Sequence, residues 1–177
     1  EDPIAQYAVA SAADVDRAVT AAQRAQTEWA ETDADERAQV LGDVADAIRE
    51  NADRLAEIET RDQGKPIGYA QGMIQGAGST FDFYAGATDK IEGESFPVGE
   101  DGVNFTLKEP YGVSAQIIPW NTPLNLTAQG IAPALAAGNA VVVKPAPTTP
   151  LPPLYLAEVC QEAGVPDGLI NVVNGGA

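Results

Sequence analysis

Two polar side chains, Asn121 and Lys144, each close an apolar run, and that placement gives them chemistry to do. Asn121 follows Ile117-Ile118-Pro119-Trp120 and precedes Thr122-Pro123, while Lys144 ends Ala140-Val141-Val142-Val143 and precedes Pro145. Open parallel sheets bind ligands outside the carboxyl ends of their strands. An amide held there can donate to a developing oxyanion, and an ammonium can bind ribose or phosphate oxygens. Each residue also has a plain structural reading. Asn121 suits a turn or helix cap, Trp120 suits a core, and Lys144 suits a buried stem with its head in water. Two such groups at the ends of two strands of one sheet are what favour a ligand site. The chain has no histidine and a single cysteine, Cys160. It therefore forms no intrachain disulfide, and neither a typical zinc site nor a Ser-His or Cys-His pair can be assembled. Cys160 lies four residues after Leu156 in an apolar helical stretch and reads as a small packing residue.

The elements that must hold these groups follow from periodicity. Val113–Ile118, Ala140–Val143 and Leu169–Val173 are short apolar runs that read as buried strands. Between them, Thr122-Pro123 opens a helix that ends near Gly138, and Thr149-Pro150 opens another that runs to Ala163 and Gly164. Continuous apolar strands alternating with helices define an α/β fold with a parallel βαβαβ, Rossmann-like unit. Its first strand-to-helix turn carries Pro119-Trp120-Asn121 in place of the G-x-G-x-x-G fingerprint. Helices come first in the chain. Ser11 to Asp14 is a capping box ahead of a 3.6-residue periodicity, and Asp33 to Glu36 repeats the pattern. Leu55 and Ile58 then prolong the apolar face past Asn51, and Gly64 supplies a stop. From Ile67 to about Ala87 a helix carries Gly72, Gly76 and Gly78, which suit close approach of another backbone. Phe96 to Lys108 alternates in polarity around Glu100-Asp101-Gly102 and reads as a hairpin inserted in the α/β unit.

At 177 residues with 45% hydrophobic content, the chain is sized for one globular domain. It shows no apolar run long enough for a bilayer and no signal-peptide pattern at its start, which leads us to expect a soluble, cytoplasmic protein with no membrane partner. A net charge of -16 repels nucleic acid. It fits an acidic, solvated surface or, with only Lys65, Lys90, Lys108 and Lys144 as lysines, adaptation to high salt.

Several ordered motifs together closely resemble the aldehyde dehydrogenase superfamily. They are Pro110-Tyr111-Gly112-Val113, Ile117-Ile118-Pro119-Trp120-Asn121-Thr122-Pro123, Ala132-Pro133-Ala134-Leu135-Ala136-Ala137-Gly138-Asn139, Val143-Lys144-Pro145 and Gly164-Val165-Pro166-Asp167-Gly168. Asp62-Gln63-Gly64-Lys65-Pro66, Tyr84-Ala85-Gly86 and the Ser11 capping box extend the likeness over nearly the whole chain.

The resemblance implies an enzyme that oxidises an aldehyde to a carboxylic acid with NAD or NADP. A cysteine forms a thiohemiacetal, and water later hydrolyses the thioester. Asn121 would be the oxyanion donor. Ile117, Ile118, Pro119, Trp120, Lys144, Ala146 and Pro147 would line the cofactor, with Lys144 on the adenosine ribose. Many NAD-preferring members carry Glu where Pro147 stands, so a 2′-phosphate would be tolerated here. Thr122, Asn125, Leu126 and Gln129, spaced along one helix face, resemble substrate-tunnel residues and suggest a polar aldehyde. Residues 1–92 and 110–177 would form a partial cofactor domain and 93–109 an oligomerisation hairpin of a homo-oligomer. Cys160 does not match the family nucleophile, which lies much later. The chain therefore reads as the amino-terminal part of an enzyme, inactive alone, with the catalytic domain elsewhere. The alternatives are a non-catalytic nucleotide-binding or oligomerisation module and, disfavoured by Trp120-Asn121, a relative that reduces acyl phosphates.

Overall fold

A computed structural model describes residues 3–99 and 102–176. Its sheet is parallel, in the order β3-β4-β5, formed by β3 (Val113–Ile117), β4 (Ala140–Lys144) and β5 (Ile170–Val172). Helix α5 (Pro123–Ala136) links the first pair and α6 (Leu151–Glu162) the second, giving the βαβαβ unit that the alternation anticipates. β4 is buried from Ala140 through Val143 because both of its faces are covered. α5 and α6 pack on each other and on the sheet, while α1 (Ala12–Glu31) contacts all three strands and covers the other face. β3 departs from expectation. It has a sheet neighbour on one side only, Ala115 is exposed, and Ile117 is 79% exposed, so it is an edge strand among the described residues.

A third layer lies over α5 and α6. It comprises α2 (Ala34–Glu50), α3 (Ala52–Gln63) and α4 (Ile67–Ala85), and the core fills the space between these layers with Leu41, Ile48, Phe81, Leu124, Leu135 and Leu156. Each such side chain contributes roughly 1.5–3 kcal/mol by burial. α1 starts with the expected capping box: Asp14 N–H donates to Ser11 Oγ at 3.3 Å, and Ser11 N–H donates to Asp14 Oδ2 at 2.8 Å. At α2 the repeat of that pattern fails, since Asp33 makes no side-chain bond to the helix. The apolar face running past Asn51 belongs to two helices, for the chain breaks at Asn51 and α3 starts afresh. Gly64 ends α3 in the left-handed region, φ +85°, where a side chain is strained.

In α4, a β-carbon on Gly78 would stand 3.4 Å from the Ala45 carbonyl oxygen, which is the close approach that its glycines suggest. Gly72 meets nothing within 4 Å, so that reason does not apply to it. β1 (Ser95–Pro97) pairs antiparallel with β2 (Val103–Phe105), and residues 100 and 101 of the expected Glu100-Asp101-Gly102 turn lie outside the described residues. The hairpin's alternation buries neither face: Val103 is 82% exposed and Phe105 59%. Among the described residues, no helix is long and apolar enough to cross a membrane.

Candidate functional site

Parallel pairing brings Asn121 and Lys144 to the same end of the same sheet. Ile117 stands opposite Lys144 in register, and Ile118 N–H donates to the Lys144 carbonyl at 3.0 Å, so the two strands stay paired up to the Pro119 turn. Ile118 is buried and anchors that turn, whereas Pro119, Trp120 and Asn121 are exposed. Trp120, at 60% exposure, is therefore not a core residue in this chain. The Asn121 amide makes no hydrogen bond among the described residues, which leaves its donor free. Lys144 is half-buried. Its Nζ donates to the Pro145 carbonyl at 3.0 Å and to the Gly175 carbonyl at 3.2 Å, beyond the end of β5. Two neutral carbonyls orient the ammonium without neutralising it, so it retains attraction for an oxygen-rich ligand.

The turn after Lys144 is closed by Thr149 N–H donating to the Ala146 carbonyl at 3.1 Å, with Pro147 exposed at its tip. The Pro147 carbonyl accepts from Tyr7 Oη at 2.9 Å, and Ala10 N–H donates to the Asn174 carbonyl at 2.7 Å. The amino-terminal segment is thus tied across the ends of β4 and β5. Nothing local to Tyr7 in the sequence signals this, because its partner lies 140 residues away.

Both crossover helices begin without the caps expected of them. Thr122 occupies the N-cap position of α5 but makes no side-chain cap bond. The acceptor comes instead from α3: Leu124 N–H donates to Glu59 Oε2 at 3.4 Å, while Glu59 Oε1 accepts from Lys65 Nζ at 2.6 Å. Both charged side chains are buried, 0% and 6% exposed. α6 starts at Leu151, and the buried Thr149 hydroxyl has no partner among the described residues, so it is not the cap. Leu151 N–H donates to Asp62 Oδ2 at 3.0 Å, one turn along α3 from Glu59. The far end of α5 is served likewise, its Leu135 carbonyl accepting from Trp29 Nε1 at 2.9 Å and its Ala136 carbonyl from Arg37 Nε at 3.3 Å. Helix ends buried without such partners would leave backbone groups unsatisfied.

Burial raises the Asp62 carboxyl above its ordinary value, against the Leu151 amide, which lowers it, and with a further push from Glu59. The folded state therefore binds this proton more readily than the unfolded one, and the Asp62 contribution to stability is lost as pH rises through the raised folded value. Asp62→Asn keeps an acceptor for Leu151 and removes the titration. Its melting temperature relative to wild type is expected to rise between the ordinary aspartate value and the raised one, read from thermal unfolding across that window. A pH-independent difference would contradict the linkage.

Among the expected tunnel residues, Thr122 and Asn125 are half-buried, Leu126 packs on the core, and Gln129 is exposed. Asn125 Oδ1 would lie 3.5 Å from a β-carbon on Gly76, so it faces α4. Cys160 is fully buried in α6, and burial pushes its thiol up to about 12. Iodoacetamide at pH 8 is expected to leave it unmodified in the native protein and to alkylate it after unfolding, as read by intact mass. Rapid native alkylation would reopen it as a nucleophile.

A parallel α/β unit with an amide and an ammonium at adjoining strand tips has the architecture that binds ligands outside the carboxyl ends of its strands. Residues 1–177 match the sequence model of the aldehyde dehydrogenase family, and the chain belongs to that family. It is 44% identical over 176 residues to an aldehyde dehydrogenase from Aspergillus niger, covering 99% of this chain and 35% of that protein. PnpE in complex with nicotinamide adenine dinucleotide superposes with a TM-score of 0.95 at 43% identity, covering 98% of this chain and 36% of PnpE. An NADP-dependent enzyme from E. coli gives a TM-score of 0.96 at 38% identity, covering 99% and 37%. The chain spans about a third of the length of these relatives.

Proposed function

We propose that this chain is the amino-terminal part of an NAD(P)+-dependent aldehyde dehydrogenase, to which it contributes the oxyanion donor and part of the cofactor site. The observation that carries this reading is the placement, at neighbouring ends of β3 and β4, of the Asn121 amide and the Lys144 ammonium, which among the described residues have no hydrogen-bond partner and no carboxylate partner respectively. Lys144 would hold the adenosine ribose, with Ile117, Ile118, Pro119, Trp120, Ala146 and Pro147 lining the same cofactor. When bound, the nicotinamide supplies the oxidising capacity. Asn121 donates its N–H to the carbonyl oxygen as negative charge grows there, which is when such a donor contributes most. The nucleophile is a cysteine outside this chain. Thr122, Asn125 and Gln129 favour a polar aldehyde, and the exposed apolar side chains of the 93–109 hairpin would be covered in a homo-oligomer.

The chemistry at Pro147 supports use of both nucleotides, since no carboxylate stands there to repel a 2′-phosphate. Steady-state assays of the full-length protein with NAD+ and NADP+ on a panel of polar aldehydes test the proposal. Aldehyde-dependent nucleotide reduction is expected with either cofactor, and Pro147→Glu should depress NADP+ use selectively. Strict NAD+ dependence in the wild type would refute the cofactor reading, and no reduction with any aldehyde would refute the activity.

A further inference from the structure

Helix α3 lies outside the α/β unit, yet it carries the only charged side chain with no exposure among the described residues, Glu59. Burying a carboxylate costs several kcal/mol unless its oxygens are partnered. Here one oxygen takes the buried Lys65 ammonium at 2.6 Å and the other takes the Leu124 N–H at 3.4 Å. Leu124 is the second residue of α5, three residues beyond Asn121, and Thr122 offers that amide nothing. Asp62, one turn on, does the same for the helix after Lys144. One rigid helix thereby holds the entries to both crossover helices. The carboxylate is also the favourable charge for the positive end of α5.

We infer that Glu59, aimed by Lys65, is a positioning residue that fixes the Pro119–Pro123 turn and so the direction of the Asn121 donor. The inference rests on the oxyanion role proposed above. Asn121 is itself exposed and unbonded, so the orientation of its backbone is set by its anchors: Ile118 on the strand side and Leu124 on the helix side. Losing the helix-side anchor lets the turn relax, and a displacement of about 1 Å at a catalytic group can cost up to about 100-fold in rate.

The test uses the full-length enzyme. The double variant Glu59→Met with Lys65→Met removes both charges at similar volume, a kind of replacement that is often neutral or stabilising. It is expected to stay folded, with most of the stability that Lys65→Met alone loses recovered, and to keep the wild-type aldehyde KM while kcat falls by about 10- to 100-fold, because the oxyanion forms only in the transition state. Glu59→Gln with Lys65→Met restores an acceptor for the Leu124 N–H without a charge and should recover most of that loss. A merely structural pair would move stability and leave kcat alone. Wild-type kcat in a folded Met-Met variant overturns the inference, as does a Gln-Met variant no faster than Met-Met. If neither double variant folds, the pair serves the fold as a whole and the assignment to the turn is wrong. A wild-type enzyme with no aldehyde oxidation defeats the functional reading itself, a result distinct from all of these.

Discussion

Asn121→Ala in the full-length enzyme is expected to lower kcat by about 10²- to 10³-fold, or about 2.7–4 kcal/mol of barrier, and to leave aldehyde KM almost unchanged. The split follows from when the charge appears. A ground-state carbonyl carries little charge, so the amide contributes most once the oxygen becomes an oxyanion. Two features of the geometry isolate this effect from folding. The side chain is exposed and has no protein partner among the described residues, so truncation strands no buried group. Surface changes of that kind usually shift stability by no more than about 0.5 kcal/mol. Asn121→Asp should be at least as damaging, since it replaces a donor with an anionic acceptor facing the same oxygen. Stopped or steady-state kinetics beside a thermal melt decide the matter, and an unchanged turnover number would remove Asn121 from the reaction.

Legibility of this fold in the sequence divides along physical lines. β4 and the helix faces were readable because side-chain periodicity is local: Ala140–Val143 is apolar without a break and is buried without a break. Gly64 and the Ser11 capping box were readable for the same reason, each being a bond or torsion within a few residues. What the sequence hides is anything settled by contact between distant segments. Thr122 and Thr149 have the right residue type for caps, but the acceptors that serve α5 and α6 come from Glu59 and Asp62, 65 and 89 residues before the amides they receive. β3 is expected to be buried like β4, yet pairing on one side only among the described residues leaves Ile117 exposed. The site residues Asn121 and Lys144 were found from their place after apolar runs, whereas Glu59 and Tyr7, which hold the surrounding turns, carry no such mark.

That difference has an energetic counterpart, and it is largest at Lys65. Lys65→Met is expected to destabilise the full-length protein by roughly 3–5 kcal/mol, because it leaves Glu59 buried with an uncompensated charge. No screening discount applies, for the pair is 6% and 0% exposed. Against a typical domain stability of about 5–15 kcal/mol this is a large fraction. On the scale of about 2–4 °C per kcal/mol that holds for domains of about 150–250 residues, it corresponds to a fall of roughly 6–20 °C in the melting of the domain that contains the pair. The sign reverses the usual expectation for replacing a lysine with an apolar residue of similar length inside a core. Removing Glu59 as well should recover most of the loss, so the single variant must be less stable than the double one. That ordering is the decisive measurement: attraction between two desolvated charges makes the effects of the two substitutions strongly non-additive. Melting curves in which Lys65→Met matches wild type to within about 2 °C, or in which the double variant is the weaker, would mean that water reaches this pair and that α3 holds the α5 entry by packing alone.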